Sequence, residues 1–92
     1  MGSWNRADME LTDVIDALRT FIREKFEIDD NDSEFSDDVH LFDYGYVDSF
    51  GAVMIITFIH DRFNVEITDE DLIVHPLNTI REISSLVHQR RG

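Results

Sequence analysis

Apolar positions along the chain recur in four runs, most of them at helical spacing. In the first run, Leu11, Val14, Ile15, Leu18, Phe21, Ile22 and Phe26 follow the three-four spacing of one helix face. Asp13, Asp16, Arg19, Arg23 and Glu24 occupy much of the other face. The pattern predicts a helix over 8–26, with Asp8 as its N-cap. The second run predicts a helix from Asp48 or Ser49 to Phe63, with Phe50, Val53, Met54, Thr57 and Phe58 toward the core and Asn64 as its break. Ile55, Ile56 and Ile59 widen its apolar surface beyond one stripe, which leaves deeper burial and an apolar docking patch both open. After an extended Val65-Glu66-Ile67, Thr68 and the acids Asp69-Glu70-Asp71 open a short third helix with Leu72, Ile73 and Val74, which Pro76 ends. Asn78 or Thr79 then caps a last helix striped by Ile80, Ile83, Leu86 and Val87, with Arg90 and Arg91 where the helix dipole favours cations.

Between the first two helices lies a connection that is long for a compact domain. Its start, Asp29-Asp30-Asn31-Asp32-Ser33-Glu34, is polar and acidic and reads as a solvated loop. Val39, Leu41 and Phe42 can pin the rest to the helices, and Gly45 predicts a turn with positive φ. No hairpin, repeat or low-complexity segment interrupts this order. The expected fold is all-α: three main helices plus one short one, with a long loop between the first and second. Residues 1–7 are expected as a flexible tail and 8–90 as the single domain.

Charge narrows the choice of partners. The chain carries 20 acidic and 8 basic residues, a formal charge of −12. Few cations are available to replace the counterions of nucleic-acid phosphate or an anionic membrane, so partners with basic patches are expected instead. With no Cys, the chain has no disulfide, thiolate metal site or thiol nucleophile of its own. The longest apolar stretch, Ala52 to Ile59, is broken by Thr57 and far too short to span a membrane. Met1-Gly2 begins like a myristoylation signal, but Arg6 stands where Ser or Thr is needed. A monomeric cytoplasmic protein is expected.

Candidate chemistry gathers at Leu41-Phe42-Asp43-Tyr44-Gly45-Tyr46-Val47-Asp48-Ser49-Phe50. A helix entrance exposes a hydroxyl beside unpaired backbone N–H groups. By itself, Asp48 or Ser49 could be no more than a cap. The wider pattern adds Leu41-Phe42-Asp43, Gly45, Val53, Phe63 and Val65-Glu66-Ile67-Thr68-Asp69-Glu70-Asp71-Leu72. In that order, and with those helices, residues 8–89 resemble an acyl or peptidyl carrier protein. The resemblance implies that Ser49 carries covalent 4′-phosphopantetheine, transferred from coenzyme A by a phosphopantetheinyl transferase that supplies the metal and the base. The arm's terminal thiol would hold an acyl or aminoacyl group as a thioester, so the reactive sulfur is imported. The chain is then a non-catalytic carrier in fatty-acid, lipid or secondary-metabolite biosynthesis. An acyl- or aminoacyl-loading ligase and a downstream synthase or acyltransferase are the implied partners. Asp48, Phe50, Met54, Asp61, Ile67 and Asp69 are expected to meet them.

Two departures shape that expectation. Phe50 follows the serine where many carriers have Leu or Met. Gly45-Tyr46-Val47-Asp48-Ser49-Phe50-Gly51 resembles the freestanding D-alanyl and aminoacyl carriers as much as fatty-acid carriers. The helix after Ser49 lacks the several acids typical of fatty-acid carriers, which points to a specialised carrier with a dedicated ligase or transferase. An unmodified helical interaction module is the alternative from another class. A calcium loop at Asp29, Asn31 and Ser33 fails, because Glu34 replaces the required Gly and His40 the required Glu. His40, His60, His75 and His88 show no metal-binding spacing, and no metal is expected. His60 lies three helical turns beyond Ser49, too far to activate it along one helix.

Overall fold

Each predicted helix forms, and the apolar runs account for where each one lies. The computed structural model describes residues 10–75 and 77–91. Asp8, the tail 1–7 and Pro76, each given a role above, lie outside the described residues. α1 spans Leu11–Lys25, α2 Ser49–Phe63, α3 Asp69–Val74 and α4 Ile80–Arg91. α1 starts later than expected, with Glu10 as N-cap and the Asp13 carboxylate accepting the Glu10 N–H at 2.9 Å. It ends where Glu27 turns to a positive φ of 54°.

α1 packs along α4, and α2 makes a smaller contact with α4. Val14, Leu18 and Ile22 of α1 and Ile80 and Val87 of α4 are fully buried there. Each such side chain contributes roughly 1.5–3 kcal/mol by leaving water. Thr79 Oγ1 accepts the Glu82 N–H at 3.1 Å while the Glu82 carboxylate accepts the Asn78 and Thr79 N–H groups, so α4 is capped as its first residues predict.

The core-facing side of α2 differs from expectation. Gly51, Ile55, Ile59 and Phe63 are its buried residues. Phe50 and Val53, expected inside, are 73% and 59% exposed. Thr57 is exposed too, while Met54 and Phe58 are half-buried. Two apolar stripes compete on this helix. The one with residues every four positions carries two Ile and a Phe, and it wins over the one broken by Thr57.

The long connection is strapped down rather than loose. Phe35, Val39, Leu41 and Val47 are buried. Polar groups hold it as well, chiefly beyond residue 34; at 29–34 every residue is exposed except the half-buried Asp32, as a solvated acidic loop requires. Asp37 takes a bidentate pair from Arg19 of α1, both bonds 2.9 Å, and its carbonyl accepts the Arg81 N–H of α4. Asp38 receives Arg81 at 2.7 Å, and this guanidinium holds the Asp38 carboxyl below its ordinary range. Asp32 accepts the Tyr46 hydroxyl at 3.0 Å. Burial, then this bond, raises the Tyr46 phenol above its usual range.

Candidate functional site

The approach to α2 is a tight turn. His40 O accepts the Tyr44 N–H and Phe42 O accepts the Gly45 N–H, both at 3.1 Å. Gly45 has the predicted positive φ, 81°, with open space where a side chain would stand, so backbone strain alone calls for glycine. Leu41 O then accepts the N–H groups of both Tyr46 and Val47. Leu41 in turn donates to Asn78 O at 2.9 Å, which ties the turn to the start of α4.

Asp48, not Ser49, is the cap of α2. Its Oδ1 accepts the Gly51 N–H at 2.8 Å and its carbonyl the Ala52 N–H at 2.9 Å. Ser49 therefore becomes the first helical residue, exposed, with no hydrogen bond to its hydroxyl among the described residues. The N–H groups of Ser49 and Phe50 likewise have no partner among those residues. A free hydroxyl beside two free N–H groups at a helix N-terminus suits a phosphodiester, whose negative charge the helix end favours.

Ser49 opens onto a groove of about 610 Å³ lined by Phe42, Ala52, Leu72, His75 and Leu77 among others. Its floor is mostly apolar and its mouth is wide, room enough for a flexible arm. His75 borders the groove without a hydrogen bond to Ser49, and His60 stands on α2 three turns away. Among the described residues the Ser49 hydroxyl has no hydrogen bond to a histidine or a carboxylate.

The remaining site candidates separate. Asp61 and Asp69 are exposed, the first near the end of α2 and the second in the first turn of α3. Met54 lines a second groove of about 390 Å³ with Phe21, Lys25, Phe50, Val53 and Asp61. Ile67 is corrected: at 7% exposure it belongs to the core and presents no side chain to a partner. It packs there because the extended segment alternates Val65 and Ile67 inward and Glu66 outward.

Sequence reasoning missed a second apolar exposure. Leu72, Ile73 and Val74 of α3 are 46%, 84% and 63% exposed. Together with Tyr44, Phe50 and Val53 they form the large exposed hydrophobics of the described residues, and all of them lie within 44–74, on either side of Ser49. The signal was present: a six-residue helix carrying three consecutive apolar residues cannot bury them all. The buried residue of α3 is Asp71, which receives Arg90 at 2.6 and 3.0 Å and also caps the helix through the Thr68 N–H.

Among the described residues no group of His, Asp or Glu is arranged to hold a metal ion, and no helix is long and apolar enough to cross a membrane. No curated protein matches the chain. The family model described as a phosphopantetheine attachment site matches residues 16–87, from the first turns of α1 into α4. Domains of that family are non-catalytic carriers that receive 4′-phosphopantetheine from a separate phosphopantetheinyl transferase and hold it covalently. With more than three quarters of its length matched, the chain belongs to the phosphopantetheine attachment site family and is a carrier protein.

Proposed function

We propose that Ser49 is the attachment point and that the chain is a discrete carrier for acyl or aminoacyl groups in fatty-acid, lipid or secondary-metabolite biosynthesis. One observation carries the reading: the Ser49 hydroxyl is exposed and unengaged at the start of α2 because Asp48 does the capping. In the attachment step the Ser49 oxygen bonds to a phosphorus of the coenzyme A diphosphate. The diphosphate bond breaks, the nucleotide half leaves, and the hydroxyl proton goes to a base of the transferase. When bound, the group supplies a thiol that holds an acyl or aminoacyl group as a thioester. The residues of the chain itself act by presentation: Asp48 fixes the helix start, and the free N–H groups of Ser49 and Phe50 would be available to a phosphodiester on Ser49.

The exposed apolar side chains Phe50 and Val53 of α2 and Leu72, Ile73 and Val74 of α3, with the half-buried Met54 and the exposed acids Asp48, Asp61 and Asp69, are the surfaces offered to partners. Loading ligases and downstream synthases or acyltransferases dock there. The glycine-flanked Asp48-Ser49-Phe50 motif and the shortage of acids on α2 favour a specialised carrier, with aminoacyl, D-alanyl or peptidyl cargo as the second reading. The protein acts as a cytoplasmic monomer. Incubation with coenzyme A and a transferase of broad specificity should add the mass of one phosphopantetheine, and Ser49→Ala should add none. An unchanged wild-type mass would favour an unmodified interaction module, and a gain that persists in Ser49→Ala would move the site elsewhere.

A further inference from the structure

Ser49 leaves α2 on the solvent side, and Gly51, two residues on and about 200° round the helix, lies on the buried side. Glycine is a poor helix former, so its place in the first turn of α2 calls for a reason. Its backbone is helical, which leaves close approach as the reason. A Cβ on Gly51 would stand 2.8 and 2.9 Å from Phe26 Cε1 and Cζ, and 2.9 Å from Val47 Cγ1. Phe26 is the C-cap of α1, and Val47 is 3% exposed with its N–H held by Leu41 O. The first turn of α2 therefore sits directly on the end of α1 and on the last buried residue of the loop. On its other side the Gly51 N–H is held by Asp48.

We propose that Gly51 is a positioning residue for Ser49: the close seat it gives Phe26 and Val47 fixes the direction in which the hydroxyl meets the transferase. The inference rests on Ser49 being the attachment point. A methyl at position 51 must displace the Phe26 ring or lever the first turn outward, and Ser49 with its two free N–H groups moves with that turn. Attack on phosphorus needs the oxygen in line, so a small displacement lowers the rate without removing any contact with the partner.

The test follows mass gain over time with coenzyme A and a broad-specificity transferase, for wild type, Gly51→Ala, Phe26→Leu and the double variant. Ser49→Ala sets the zero, and Ile22→Val, a core change on α1, controls for lost stability. Gly51→Ala should lower kcat/KM about tenfold, chiefly through kcat. The double variant should recover most of that loss, and Ile22→Val should react like wild type. In the unmodified chains, hydrogen exchange at the position-51 amide should quicken in Gly51→Ala and slow again in the double variant. Phe26→Ala, which empties the seat without crowding it, should also lower kcat. A wild-type rate in Gly51→Ala, or a loss that Phe26→Leu leaves in place, overturns the proposal. If Gly51→Ala does not fold, a wild-type rate in Phe26→Ala overturns it. A wild type that gains no mass fails the attachment reading itself and takes this inference with it.

Discussion

Ser84 lies at zero exposure on the packed side of α4, and its hydroxyl has no hydrogen-bond partner among the described residues. A buried hydroxyl left unpaired costs stability, whereas a methyl there costs nothing to desolvate. Ser84→Ala should therefore raise the urea midpoint, by an amount equivalent to about 1 kcal/mol. A lower midpoint would show that the hydroxyl finds a partner after all. Residues of this kind were the least legible in the sequence. The stripe Ile80, Ile83, Leu86 and Val87 was readable because each member is apolar, and all four are buried. Ser84 sits between them with nothing in its chemistry to announce burial. The choice between Asp48 and Ser49 as cap was hidden for a related reason: both are good caps, and which one bonds the helix N–H depends on where Gly51 docks.

At the scale of elements, α3 is held to the body by charge as much as by packing. Asp71 is its buried residue, and the Arg90 guanidinium followed by the Thr68 N–H holds the Asp71 carboxyl well below the usual carboxylate range. A carboxyl that titrates lower folded than unfolded stabilises the fold above the ordinary value of about 3.9 and loses that contribution as pH falls toward the lowered one. The stability gap between wild type and Asp71→Asn, followed by thermal melting, should be widest near neutrality and close on acidification below about pH 4. A gap that does not change with pH would mean that the pair contributes nothing. The existence and order of the helices were legible because capping residues mark their starts and apolar spacing marks their length. The orientation of α2 was not, since a helix greasy on two sides carries no unique inward face. Burial of one side follows from what α1 and α4 offer it, and that is a property of the assembled fold.

For the molecule as a whole, the charge of −12 understates how uneven the surface is. Arg19, Arg23, Arg81 and Arg90 are engaged with Asp16, Asp37, Asp30, Asp38 and Asp71 within the fold. Half of the eight basic residues are thus paired with acids within the fold, and the remaining acids dominate the field a partner meets. Binding of the transferase, measured by calorimetry, should weaken as salt is added, because the acids steer the encounter. Phe50→Ser should weaken it about tenfold at low and high salt alike, because the loss is apolar. Wild-type affinity in Phe50→Ser would remove that face from docking. The pairing of α1 with α4 has a last consequence, for the order of events as the chain is made. The two helices that pack most extensively on each other stand at opposite ends of the described sequence, so no growing fragment short of α4 can close the core between them. Until α4 leaves the ribosome, the apolar stretch Ala52–Ile59 has α1 to lie against, through Phe21 stacked on Phe58 at 4.1 Å, but not the α4 side of the core, and the young chain depends on its acids for solubility.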